Sequence, residues 1–305
     1  MIGLIVNPRA RRVALDPAII DRLRASLGDR GRVAVTRDAE ELRAALSVFR
    51  ADECETIATC GGDGTNVFVL TEMMRIWRGG PLPRMALLRG GTINIVAENL
   101  GIRGTPEAIL RRLLHDHPRQ PARCAELDTL VVDGRSGFIF AAGLPSRFLS
   151  SYYDGSGTGR LRAIALVLRS LGSILVGGRF SRGLLEQVPT EFSVDGSPPR
   201  RGSPNVLLAT TVANVGLGLR VGYRVGQTPG QFHALAAKAE GRHLWTSLLP
   251  VLLGRPGPWP SHLDRLATRL DLRFDVDQAC LLDGELFSAA RVTVEIGARM
   301  RFEIG

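Results

Sequence analysis

Over the first 115 residues, short apolar runs of β-forming residues alternate with stretches of helical period, and this alternation constrains the fold more than any other feature. Such an order makes βαβ units and a parallel sheet covered on both faces, because parallel neighbours must be joined by crossovers long enough to hold a helix. Strands are expected at residues 2–6, 32–35, 56–60 and 85–88, with helices at 17–27, 39–49 and 66–77. In sheets of this kind ligands gather at the carboxyl ends of the strands, where loops enter the following helices.

The pattern breaks at residues 115–123 (HDHPRQPAR), a polar, proline-containing stretch that reads as a linker. Beyond it, short β-type segments dominate: DTLVVDG, GFIFAAG, TEFSVDG, NVLLATTVANV, RLDLRFDV, RVTVEIG and RMRFEIG. These imply an antiparallel sheet or sandwich, interrupted by helices near 160–176 and 244–253. The expected organisation is an α/β domain over 1–120 and a β-sandwich-like domain over 121–305, its last strands returning toward the interdomain cleft.

Composition removes several alternatives. The formal charge of +9 is nearly all arginine, because Lys238 is the one lysine in the chain. It lies in AAKAEG, so neither a P-loop nor the lysine strand of a protein kinase can be built from it. A nucleotide site must then work without lysine. Dispersed arginines, 6% aromatic residues and no zinc-finger or RNA-recognition pattern argue against nucleic acid. Cys54, Cys60, Cys124 and Cys280 show no metal or disulfide spacing, which suits a reducing, cytoplasmic setting and no zinc. His115 and His117 read as polar linker residues. The five-residue apolar run before RARR is the reverse of a secretory signal, and no transmembrane stretch is evident.

The sharpest motif is Thr59-Cys60-Gly61-Gly62-Asp63-Gly64-Thr65-Asn66, an apolar strand emptying into glycines that open a helix. Glycines let backbone N–H groups approach an anion, and a helix N-terminus adds dipole and donors. A carboxylate about 5 Å from a phosphate charge is repelled by roughly 3 kcal/mol at an effective dielectric near 20, so a cation such as magnesium is expected beside Asp63. The other reading is a tight turn with Asp63 as a cap. A second loop, Arg89-Gly90-Gly91-Thr92-Ile93-Asn94, follows the next strand, and Val6-Asn7-Pro8-Arg9 ends the first. Together they could close on one phosphate chain. Near the C-terminus, Leu282-Asp283-Gly284-Glu285 places two carboxylates two residues apart. It reads either as a hairpin turn or as the source of a general base.

In this order the segments resemble the diacylglycerol kinase and sphingosine kinase superfamily, especially its soluble bacterial lipid kinases. The resemblance rests on VNPRA, GGDGT, GGTINIVAENLG in place of a GTxN loop, LDTLVVDGRSGFIFAAG and the late LDGE. GGDGT alone is shared with NAD kinases and phosphofructokinases. The resemblance implies an NAD kinase/phosphofructokinase-like α/β domain, a β-sandwich-like second domain and catalysis in the cleft between them. Carried over by position, Asn7, Thr36, Gly62, Asp63, Gly64, Thr65, Asn66 and Thr92 would contact ATP, and Asp63 would organise Mg2+. Asp283 or Glu285 would be the base, with Glu285 preferred. Pro8, Arg9, Gly61, Gly91 and Asn94 complete the expected nucleotide site.

Two segments depart from the family. Ile95-Val96 stands where many relatives carry Asp-Phe, and Gln227-Thr228-Pro229-Gly230-Gln231 stands where relatives place an acidic segment for a structural magnesium. That metal site is expected to be missing. The acceptor implied is the hydroxyl of a lipid reached by transient, peripheral membrane contact: diacylglycerol, a sphingoid base, an undecaprenyl-type alcohol or another glycerolipid. Residues 160–182 and 244–259 combine basic, apolar and, in the second, tryptophan residues suited to that contact, although each reads more readily as a packed helix with solvated arginines. Exposed sheet edges would permit a homodimer. Competing readings are a catalytically silent lipid- or nucleotide-binding protein and an NAD kinase.

Overall fold

The structure, a computed structural model, describes residues 1–115, 123–153 and 179–304. Most of the expected linker, with His117, and the expected helix at 160–176 lie outside the described residues. The chain divides into two compact units, Met1–Leu127 with Arg299–Gly305, and Asp128–Ala298.

The first unit begins β1 (Ile2–Val6), α1 (Arg11–Leu15), α2 (Ile19–Leu27), β2 (Gly31–Val35), α3 (Ala39–Ala51), β3 (Thr56–Cys60), α4 (Asp63–Ile76) and β4 (Arg84–Leu87). It continues with α5 (Ile95–Asn99) and α6 (Pro106–His115). The four strands lie parallel in the order β4-β3-β1-β2. Every residue of β1 and β3 is buried, as expected of central strands covered on both faces. Helices α2 and α3 turn Ile19, Leu23 and Leu27, and Leu42, Leu46 and Phe49, into the core at helical spacing. Asp38 opens α3 by accepting from the N–H groups of Glu40 and Glu41.

Two sequence expectations shift. Helix α4 starts at Asp63 rather than 66, because Gly62 is extended and the rest of GGDGT already forms the first turn. Helix α6 was not expected, although Ile109, Leu110, Leu113 and Leu114 give it a clear buried stripe.

The second unit is antiparallel. It contains most of β5 (Cys124–Val132), then β6 (Arg135–Gly137), β7 (Ile139–Gly143), α7 (Leu144–Tyr153), α8 (Arg179–Leu184), β8 (Thr190–Val194) and β9 (Arg200–Gly202). There follow β10 (Val206–Thr210), β11 (Phe232–Ala237), α9 (Gly241–Leu252), β12 (Ser261–Ala267), β13 (Arg269–Leu282) and β14 (Glu285–Glu303). Strands run β12-β11-β10-β7-β13-β14, each antiparallel to its neighbour. Asp283 and Gly284 link β13 to β14 in a two-residue turn with φ of 46° and 94°. Positive φ at both positions is what a tight hairpin of matching twist demands, and Asp-Gly supplies it.

The C-terminal end of β14 belongs to the first unit, where Phe302 and Glu303 pair in parallel with Met85 and Ala86 of β4. Glu303 is 2% exposed, accepts from the Thr56 hydroxyl at 3.1 Å and pairs with Arg84 at 3.0 Å. Hydrogen bonds to charged groups contribute roughly 1.5–3 kcal/mol, so Glu303→Ala is expected to cost about 2 kcal/mol, read as a lower urea midpoint at unchanged slope.

Candidate active site: a nucleotide cradle and a buried hairpin aspartate

Because β1 to β4 are parallel, their carboxyl ends lie along one edge, where β1, β2 and β3 deliver the predicted site residues Asn7, Thr36 and Gly61 and β4 delivers Arg89, which opens the second glycine loop. Hydrogen bonds extend the register past the strands, from Asn7 N–H to Cys60 O at 3.1 Å and from Thr36 N–H to Val6 O at 3.0 Å. Three loops then tie to one another. The Asn7 amide donates to Thr65 Oγ1 at 2.8 Å, and its own carbonyl accepts from Arg9 N–H at 2.9 Å, with Pro8 between them. Arg12 N–H donates to Gly90 O at 3.0 Å. The Thr59 hydroxyl holds Asn66 at 2.7 Å.

The two glycine loops touch backbone to backbone. A Cβ on Gly91 would sit 2.4 Å from Gly62 Cα, and one on Gly90 would sit 2.9 Å from Gly61 N. Side chains are excluded there because the other loop occupies the space. Asn94 adopts the left-handed region (φ 57°) while 1% exposed, and its amide clasps Gly91 N–H at 3.1 Å and Gly91 O at 3.0 Å. Asparagine tolerates this conformation when its side chain bonds locally.

Asp63 completes the triangle. Its Oδ2 accepts from Asn94 N–H at 3.0 Å and its Oδ1 from Ile95 N–H at 2.7 Å, so it caps the N-terminus of α5. The positive partner expected beside this carboxylate is supplied by those N–H groups and by the α5 dipole. Burial nevertheless outweighs both hydrogen bonds, with Glu98 adding repulsion, and pushes the carboxyl up to about 6. Helix α4, by contrast, begins at Gly62 with no side-chain cap. The N-terminus of α5 is therefore spent on Asp63, and that of α4 is the end presented without a capping side chain. Gly64, Thr65 and Thr92 are half-buried, and Arg9 is exposed.

Among the described residues, no group of three or more His, Cys, Asp or Glu side chains could hold a metal ion. A single carboxylate fits magnesium brought in on phosphate oxygens and water rather than a preformed protein cage.

In the second unit the two LDGE carboxylates differ. Asp283 is 3% exposed, and its oxygens accept from Phe138 N–H at 2.7 Å and Ile139 N–H at 2.9 Å. Glu285 is exposed. Lost solvation raises its carboxyl above the ordinary value, while Arg135 pulls it down. Arg135, not anticipated from sequence, stacks on Phe287 with its guanidinium 4.2 Å from the ring centre. Asp128 accepts from Gly230 N–H at 2.9 Å, which ties it to the segment where relatives carry acidic residues.

Residues 1–124 match the diacylglycerol kinase catalytic domain. This catalytic-domain region holds every expected nucleotide-site residue. The whole chain shares its fold with a diacylglycerol kinase from Bacillus anthracis str. Sterne, at 15% identity and TM-score 0.63 over 100% of this chain and 96% of that one. It is similar also to an NAD kinase from Archaeoglobus fulgidus in complex with ATP, at 10% identity and TM-score 0.53, covering 99% and 93%. Yeast NADH kinase complexed with NADH matches at 10% identity and TM-score 0.54, covering 97% and 79%. No curated protein matches the sequence. The chain thus has the lipid kinase/NAD kinase fold. Among the described residues, no helix is long and apolar enough to cross a membrane.

Two outcomes follow. Gly91→Ala, which must push the loops apart, is expected to weaken nucleotide binding at least tenfold by calorimetry while the protein stays folded. For Asp63, the folded carboxyl binds its proton more tightly than the unfolded one, whose ordinary value is 3.8 against about 6. Stability from this group therefore falls as pH rises through that window and is level above it. Thermal melts of wild type relative to Asp63→Asn should show wild type losing ground from pH 4 to 6; the opposite slope would refute the buried carboxylate.

Proposed function

We propose that the protein is an ATP-dependent kinase that passes the γ-phosphate to the hydroxyl of a lipid such as diacylglycerol. The observation that carries this reading is the closed triangle of loops at the carboxyl edge of the parallel sheet, opening on the uncapped N-terminus of α4. Backbone N–H groups of the first turn of α4, with the Thr65 hydroxyl held by Asn7, form an anion cradle that needs no lysine. The match to the diacylglycerol kinase catalytic domain supports the lipid acceptor, and the ATP carried by the archaeal NAD kinase supports the donor.

In this mechanism the cradle fixes the phosphate chain, and Asp63 keeps the second loop folded against the first. Magnesium, when bound with the nucleotide, would neutralise charge on the transferring phosphoryl group, with Asp63 as its protein carboxylate. Glu285 accepts the proton of the attacking hydroxyl: its side chain can be reached from solvent, and the partial loss of solvation that raises its carboxyl makes it a stronger base than an ordinary glutamate. Asp283, both oxygens committed to backbone N–H groups, holds the hairpin that carries Glu285.

The test is transfer of labelled γ-phosphate from ATP and magnesium to a total lipid extract. General-base catalysis contributes about 10²–10⁴-fold, so Glu285→Gln should lose at least about a hundredfold in kcat while ATP affinity is kept. Full activity in Glu285→Gln would remove the base. Label appearing in NAD and in no lipid would make the protein an NAD kinase, and ATP binding without transfer to either would make it a silent binding protein.

A further inference from the structure

Helix α9 faces water with the wrong side. His243, Ser247 and Val251, spaced by four, are buried, so two of these three inward side chains are polar. The opposite face carries Trp245, Leu249 and Leu252, with Leu253 at the cap, exposed by 41%, 66%, 42% and 57%. A solvated surface helix shows the reverse arrangement. The inward face does not account for the orientation, since Ser247 Oγ is buried without a hydrogen-bond partner among the described residues. What is left to account for it is an apolar environment outside the helix.

The surroundings select that environment. Arg220 and Arg255 are exposed beside the C-terminal turn, Arg220 N–H bonding to Val251 O at 3.1 Å and Arg255 N–H to Pro250 O at 2.8 Å. Between residues 238 and 260 the single acid is Glu240, at the far end of the helix, against Lys238, Arg242 and Arg255. An apolar stripe containing tryptophan and edged by arginine matches the headgroup boundary of an anionic bilayer.

We propose that the Trp245–Leu249–Leu252–Leu253 face of α9 docks the protein on an anionic membrane surface, lying in the interface rather than spanning it. For its purpose the docking rests on the lipid-kinase reading, but it is measurable without catalysis. Full-length protein is floated with phosphatidylcholine vesicles, with and without phosphatidylglycerol. Wild type should partition onto the anionic vesicles with a blue shift of tryptophan emission that Trp245→Phe abolishes. Leu249→Glu with Leu253→Glu should lower partitioning at least tenfold at unchanged melting temperature, while Val276→Glu, at an exposed apolar residue elsewhere, should leave it unchanged. Equal partitioning of the double variant and wild type, or equal binding to neutral and anionic vesicles, would overturn the proposal. So would a wild-type dimer that the double variant dissociates, which would make the face a contact between copies.

Phosphate transfer to a short-chain, water-soluble acceptor separates the two readings. The double variant should keep that transfer and lose transfer to vesicle-embedded acceptor. Loss of both would overturn docking as the role of the helix. Absence of transfer in wild type, with vesicle binding intact, would defeat the kinase reading and leave the membrane surface standing.

Discussion

The first unit depends on a carboxylate placed where carboxylates are costly. Asp63 is half-buried among glycine turns, and it joins those turns because its two oxygens take the first N–H groups of α5. A buried charge must be paired or hydrogen-bonded. Here the pairing consists of backbone donors from the neighbouring loop, so neither loop holds its shape without the other. The neighbouring helix α4 starts without a capping side chain. One aspartate thereby caps one of two adjacent helix ends and leaves the other without a side-chain cap.

The device recurs. Asp195 accepts from Thr268 and Arg269 N–H, and Asp283 from Phe138 and Ile139 N–H. All three aspartates precede glycine, and each collects two consecutive backbone donors. Their environments separate them. At Asp195, desolvation is outweighed by hydrogen bonds from Thr268 and Arg269, and its carboxyl is held below the usual range. At Asp63, the same kind of bonding is outweighed by burial, and the carboxyl rises. Hydrogen-bond counts alone would have given both the same sign. The balance between solvent lost and donors gained set the direction.

Much of this was legible in the sequence. The fully buried runs Ile2–Val6 and Thr56–Cys60 could be read as parallel strands, since burial on both faces requires continuous apolar residues. The Gly61, Gly62, Gly90 and Gly91 loops were visible as loops. Their mutual contact was not, because no local pattern marks a glycine kept small by another backbone about 29 residues away. Asn94 could have been suspected as a left-handed residue, and α6 from its stripe. The stacking of Arg135 on Phe287 carries no sequence signal, for its partners are brought together by strand register.

The sequence by itself determined the parallel and antiparallel halves, the carboxyl ends of the parallel strands, the lysine-free glycine loops and the pair of carboxylates in LDGE. Those properties follow from periodicity and composition, which act over a few neighbouring residues. Tertiary structure decided the rest. It gave Asp63 to α5 rather than to solvent, buried Asp283 beneath the turn while leaving Glu285 exposed, and turned the apolar face of α9 outward. Each of these is set by what distant segments place around a side chain, and that environment exists once the chain has closed on itself.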